Sequence, residues 1–167
     1  MPRQLDFVLE AACATWRENL SLRRRTDVAL IFDELATTDP SVIQMIADDA
    51  ADGIGLKISK NGGLTKGRRH RDMCLAAGYT ISVQDTVGSD ISFAAIVHLA
   101  QTIPERNLRC ILETRDMVKL KTADGAYEGA FDVVDGRVSA PKAPGLGVKP
   151  RVDVLGQPVL SYRRQRL

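Results

Sequence analysis

Glu10, Asp33 and Lys57 stand near the ends of three short runs, LDFVLE, VALIFDE and GIGLKIS. Side chains alternate between the two faces of an extended strand. Gly53, Gly55, Lys57 and Ser59 therefore share one face, and Ile54, Leu56 and Ile58 the other. The same parity sets Asp33 with Ala29 and Ile31, and Glu10 with Val8. Neighbouring strands lie about 4.8 Å apart. Two carboxylates at that spacing repel when bare, or share a hard cation such as Mg2+ through their oxygens. The cation is the simpler arrangement than an acid/base pair, and Lys57 points into the same mouth. For either acid alone, a strand-end carboxylate that caps the next helix or meets solvent remains open.

Those three tips need strands that run in one direction. Five β-type runs, LDFVLE, VALIFDE, GIGLKIS, YTISVQD and LRCILE, alternate with helical stretches from residue 6 to about residue 118. One helix follows VALIFDE, where Asp39 can cap, Pro40 suits the first turn, and Val42, Ile43, Ile46 and Ala50 form an apolar stripe. A second covers GGLTKGRRHRDMCLAAG, with Leu64, Gly67, Cys74 and Leu75 on one side and Gly78 as its stop. A third begins at 88–90 and runs through Ile91, Ala94, Ala95 and His98, and an Arg-rich helix spans about Trp16 to Arg25. Strict β-α alternation predicts a parallel sheet covered by helices, doubly wound or closed as a barrel. Beyond residue 118, Asp135-Gly136 between FDVV and RVSA reads as a hairpin, and the Pro/Gly-rich stretch after it as an irregular wrap.

At 167 residues and 44% hydrophobic, the chain has the apolar material for one core. Its 23 Lys and Arg against 21 Asp and Glu leave a formal charge of +2, which speaks against nucleic acid or a membrane as partner. Cys13, Cys74 and Cys110 lack ligand spacing and read as reduced core thiols of a cytoplasmic protein. Neither a leader peptide nor an apolar run of about 20 residues is visible. The abrupt entry into Phe7-Val8-Leu9 is unusual for the start of a domain.

FVLEAACATW, IFDE and GIGLKISKNGGLTKGRR together resemble the barrel domain of the enolase superfamily, in its muconate-lactonizing and mandelate-racemase branch. The likeness runs from about Asp6 to Tyr162, and PGLGV at 144–148 belongs to it. In that branch the motif of LKISKNGG marks the sixth barrel strand, and its first lysine, here Lys57, is an acid/base catalyst. The acids of the fourth and fifth strands, here Glu10 and Asp33, are ligands of the essential Mg2+. Residues 1–118 then correspond to a partial barrel, strands four to eight. Residues 119–167 would be a hairpin and tail that pack on a capping domain. The family's third ligand, its second lysine and that domain would precede residue 1, so the chain reads as the C-terminal part of such an enzyme.

IFDELATTDPSVIQ and SVQDTVGSDISFAAIVHLAQT are similar to the enzymes acting on hydroxyproline and proline betaine, cis-3-hydroxy-L-proline dehydratases in particular. The resemblance implies a Mg2+-dependent lyase that takes the proton beside a small-molecule carboxylate, using a lysine lowered toward about 7–8. Asp85 and Glu113 match positions that contact substrate, although parity along TISVQD turns Gln84 rather than Asp85 toward the pocket. A homo-oligomer and a complementary N-terminal chain are the protein partners implied.

Lys60, out of phase with Lys57, is expected to meet solvent or a neighbouring loop. Arg23 to Arg25, and Lys66 to Arg71 with His70 among them, are expected on wet helix faces. His98 reads as a packing histidine, and Gly62-Gly63 as a weak phosphate cradle. Three classes of function follow: the lyase, an isomerase of proline betaine or a related carboxylate, and a non-catalytic fragment. For the last, the isolated chain is expected to show no dehydratase activity.

Overall fold

Strands β1 (Leu9–Glu10), β2 (Leu30–Phe32), β3 (Gly53–Lys57), β4 (Thr80–Gln84) and β5 (Leu108–Ile111) pair in parallel, in chain order, as one sheet. The computed structural model describes residues 7–86, 88–112, 126–129, 132–157 and 159–162. A doubly wound sheet reverses its strand order at a switch point, whereas here each strand lies beside its predecessor throughout. That progression is the one a (β/α) barrel uses, with five of its eight strands in this sheet. Among the described residues, no helix is long and apolar enough to cross a membrane.

Helices α1 (Trp16–Arg23), α2 (Asp39–Ala47), α4 (Leu64–Ala76) and α5 (Asp90–Ala100) alternate with the strands, and a single turn, α3 (Ile58–Asn61), follows β3 directly. Leu30, Phe32, Ile54, Leu56, Ile81 and Val83 alternate along β2, β3 and β4 and form one core with Val42, Met45, Cys74 and Ile96. Truncating a fully buried residue such as Leu56 to alanine costs about 2–5 kcal/mol. The lone tryptophan, Trp16, closes this layer at one end. Its ring stands edge-on to Phe32 at 5.3 Å between centroids, and its Nε1–H donates to Asp48 at 2.8 Å.

The helix faces differ in detail from the sequence expectation. Thr38, not Asp39, caps α2, in a reciprocal box with Ser41, which leaves Asp39 in the first turn free to meet α4. Ile43 is exposed while Met45 is fully buried, so the inward stripe of α2 runs through Val42, Met45 and half-buried Ile46. On α4 the buried positions are Gly67, His70 and Cys74, and Leu64 faces out. His70 is therefore not on a wet face, because a spacing of three and then four residues puts it on the stripe that α4 turns inward.

The turn after β3 also departs from the expected strand. Ile58 and Ser59 are helical, so the parity that paired Ser59 with Lys57 stops at Lys57. Gly62 then takes a left-handed φ of 88° to end the turn. The predicted hairpin forms at Val134 and Arg137, around Asp135 and Gly136 at positive φ. A second antiparallel pair, β6 (Tyr127–Glu128) with β7 (Lys149–Pro150), and a helical turn, α6 (Val152–Leu155), were not foreseen.

Candidate active site

Parallel pairing aligns the strand ends: Glu10 lies opposite Ile31, Phe32 opposite Ile54, and Lys57 opposite Gln84. Glu10, Asp33 and Lys57 accordingly come together at the C-terminal edge of the sheet. The Lys57 ammonium donates to Asp33 Oδ2 and lies 3.4 Å from Glu34 Oε1. Lys60 Nζ reaches the same Glu34 at 2.7 Å, a neighbouring loop as expected.

The absence of a side chain at Gly55 makes this convergence possible. A methyl group there would collide with Gln84 Nε2 and lie 2.8 Å from Glu10 Oε1 and 3.5 Å from Asp33 Cβ. Gln84 thus crosses β3 through the gap and donates to Glu10 Oε1 at 2.9 Å. Gln84 is buried and on the inner face, as parity indicated. Asp85 is also buried, but its Oδ1 accepts from the Ser59 hydroxyl and from the Thr86 N–H at 2.8 Å. Glu113 lies outside the described residues.

Charge balance at the rim is uneven. Asp33 Oδ1 is buried without a hydrogen-bond donor, and Lys57 holds the other oxygen. Burial pushes the Asp33 carboxyl upward, against the opposing pull of Lys57. For Lys57, burial acts downward but Asp33 and Glu34 outweigh it and hold the ammonium above its ordinary value. Its nearest neighbours are two carboxylates, and they set that direction. Glu34 is held down to about 2, chiefly by Lys60.

These features fit a hard cation. A buried carboxylate oxygen lacking a donor and a second carboxylate across a glycine gap make an oxygen site of the kind Mg2+ takes. Among the described residues, no three His, Cys, Asp or Glu side chains gather as a full metal cluster. Two acids are fewer than Mg2+ requires, so further oxygens would complete the shell. Beside Asp33 and Glu34 opens a cavity of about 320 Å3, walled by Ala11, Cys13, Asn19 and Phe32 on the side of α1, and neither Glu10 nor Lys57 lines it.

Sequence reasoning missed Asn61 and misplaced His70. Both are buried, and Asn61 Nδ2 lies 2.8 Å from His70 Nδ1. The i, i+3, i+7 spacing of Gly67, His70 and Cys74 was the available signal. His98 packs partly buried, with Nε2 3.1 Å from the Leu146 carbonyl.

Residues 5–154 match the family described as enolase C-terminal domain-like. The chain is 43% identical over 158 residues to cis-3-hydroxy-L-proline dehydratase of Roseibium aggregatum, covering 95% of this chain and 42% of that protein. It is 29% identical to muconate cycloisomerase 1 of Rhodococcus opacus, over 80% of this chain and 35% of that one. A crystal structure described as a mandelate racemase/muconate lactonizing enzyme from Aspergillus oryzae superposes with a TM-score of 0.88 at 66% identity, over 97% of this chain and 44% of its own. One from Roseovarius nubinhibens, complexed with magnesium, gives 0.88 at 49% identity, over 98% and 44%. The chain spans less than half the length of each of these relatives.

Proposed function

The chain belongs to the enolase C-terminal domain-like family, and from that premise we propose that Glu10, Asp33 and Lys57 serve a Mg2+-dependent lyase, with cis-3-hydroxy-L-proline as the acid dehydrated. The observation that carries this reading is the buried Asp33 oxygen without a donor, set beside Glu10 and Lys57 over Gly55. Glu10 and Asp33 are the residues to hold Mg2+. Bound there, the ion supplies positive charge against the oxyanion that develops when the proton beside a carboxylate leaves.

Lys57 carries the proton on one face of the α-carbon. Asp33 and Glu34 keep its ammonium charged in the geometry described. Where the Asp33 charge is matched by another partner, burial acts on Lys57 with less opposition and moves it toward the range of a general base. Gln84 fixes the Glu10 carboxylate through its Nε2–H. Asp85 and Glu113 are proposed to meet the imino group of the substrate, Asp85 from a position anchored by Ser59 and Thr86.

The test is incubation of the purified chain with cis-3-hydroxy-L-proline and Mg2+ in deuterated water, followed by proton NMR. Formation of a pyrroline-2-carboxylate that stops in Lys57→Ala supports the dehydratase. Deuterium uptake at the α-carbon without that product assigns an isomerase. Mg2+ binding at Glu10 and Asp33 with neither exchange nor product assigns a non-catalytic chain.

A further inference from the structure

We infer that His70 is a positioning residue for Lys57, acting through Asn61, which it holds as a bridge between the end of β3 and the loop after β2. The inference rests on the reading of Lys57 as the proton carrier.

His70 is fully buried in the middle of α4, inside the run Arg68-Arg69-His70-Arg71. Gly67, on the same stripe, lets the helix come close: a methyl there would lie 3.3 Å from Leu99 Cδ2 and 3.5 Å from Ile58 Cγ2. Around His70, two backbone groups of fixed polarity determine every hydrogen bond. The Lys57 N–H can only donate, and it meets Asn61 Oδ1 at 3.1 Å. The Ala36 carbonyl can only accept, and it meets Asn61 Nδ2 at 3.2 Å. Together they fix which end of the Asn61 amide carries nitrogen.

The remaining links follow. Asn61 Nδ2 donates to His70 Nδ1 at 2.8 Å, so Nδ1 carries a lone pair and the ring proton sits on Nε2. Nε2–H donates to Asp39 Oδ1 at 2.7 Å. Arg69 holds the other Asp39 oxygen, and Arg69 first and His70 second keep that carboxyl below its ordinary range, as an anion. The chain of bonds runs from the first turn of α2 to the backbone of Lys57, with one donor sense at each link. Ala36 lies three residues beyond Asp33, so Asn61 sets the spacing between the segments that carry Asp33 and Lys57. Without His70, Asn61 loses a partner that limits its rotamers.

The experiment is NMR on the metal-free 167-residue chain, with His70→Leu and His70→Asn beside it. In the unchanged chain, ring 15N shifts are expected to show Nε2 protonated and Nδ1 bare. In His70→Leu, amide exchange at Lys57 is expected to rise at least about tenfold relative to Ile54 in the same strand, as for a lost buried hydrogen bond. In His70→Asn, whose Oδ1 can take the place of Nδ1 as acceptor, Lys57 protection is expected to return to within about threefold. A purely structural role would raise exchange at Ile54 and Lys57 alike, in both variants, and would overturn the inference. So would a proton on Nδ1, which is read on the unchanged chain even where His70→Leu does not fold. None of these measurements uses Mg2+ or substrate, so the proposed reaction and this positioning role fail separately.

Discussion

Asp52 and Asp33 sit at opposite ends of the same sheet and face opposite demands. Asp52 precedes β3 at the N-terminal edge, where its carboxylate accepts from Arg23 at 2.6 and 3.0 Å and from the Leu30 N–H at 2.8 Å. Its partners come from α1 and β2, so it ties a helix to two strands. Asp33 follows β2 at the C-terminal edge, with one oxygen on Lys57 and the other buried without a donor. The first acid is committed to architecture, while the second keeps coordinating capacity that the fold does not use. In parallel barrels the C-terminal edge is where ligands and chemistry gather, and the difference between these two aspartates expresses that division within one sheet.

The comparison breaks most sharply at Lys57. Lys57→Ala is expected to lower turnover by about 10^2- to 10^4-fold, read as formation of the pyrroline product. Activity that stays within about tenfold would place proton transfer on another group. The two acids themselves come next. Asp52→Ala is expected to lower unfolding free energy in urea by about 1–3 kcal/mol and leave Mg2+ titration unchanged, whereas Asp33→Ala abolishes Mg2+ binding. Equal loss of Mg2+ binding in both variants would erase the distinction.

The glycines of β3 sharpen it further. At Gly53 a methyl would lie 2.6 Å from the Thr80 carbonyl, which is backbone and cannot turn aside. Gly53→Ala is therefore expected to cost about 1–3 kcal/mol of stability by thermal or urea unfolding. At Gly55 the methyl meets the ends of two flexible side chains, Gln84 and Glu10. Gly55→Ala is expected to cost less stability and to weaken Mg2+ binding by displacing Glu10.

The smallest effect lies at Glu34. Its folded value of about 2 is below its ordinary 4.5, so its contribution is present above that ordinary value and is lost as pH falls from there toward 2. Glu34→Gln is expected to narrow its urea-midpoint gap from the unchanged protein between pH about 6 and about 3. The gap is small throughout, because the side chain is 55% exposed and screened. A gap that widens toward acid would contradict the assignment.

Much of the sheet was legible because period-two alternation holds wherever one face must be dry. Leu30 and Phe32 against Ile31 and Asp33, or Ile54 and Leu56 against Gly53 and Gly55, announce both the strand and its inner face. Lys57 was legible for the same reason, and Ser59 was not, since the chain leaves the strand at Ile58 and the period changes from 2 to that of a helical turn. Asn61 escaped notice, and composition misplaced His70. A histidine among three arginines and a lysine within six residues reads as solvated, although the spacing from Gly67 to Cys74 carries it inward. The protonation behaviour of Lys57 was out of reach as well, because it depends on Glu34 and Asp33 together rather than on any one residue's type.

The edge-on contact between Trp16 and Phe32 gives the molecule an optical gauge of its own. Phe32 adjoins Asp33 in the chain, and no second indole competes for the emission. Were capture of an ion at its tip to shift β2, the ring environment and the fluorescence would change with it. Occupancy of the site then becomes a spectroscopic titration that needs neither label nor substrate.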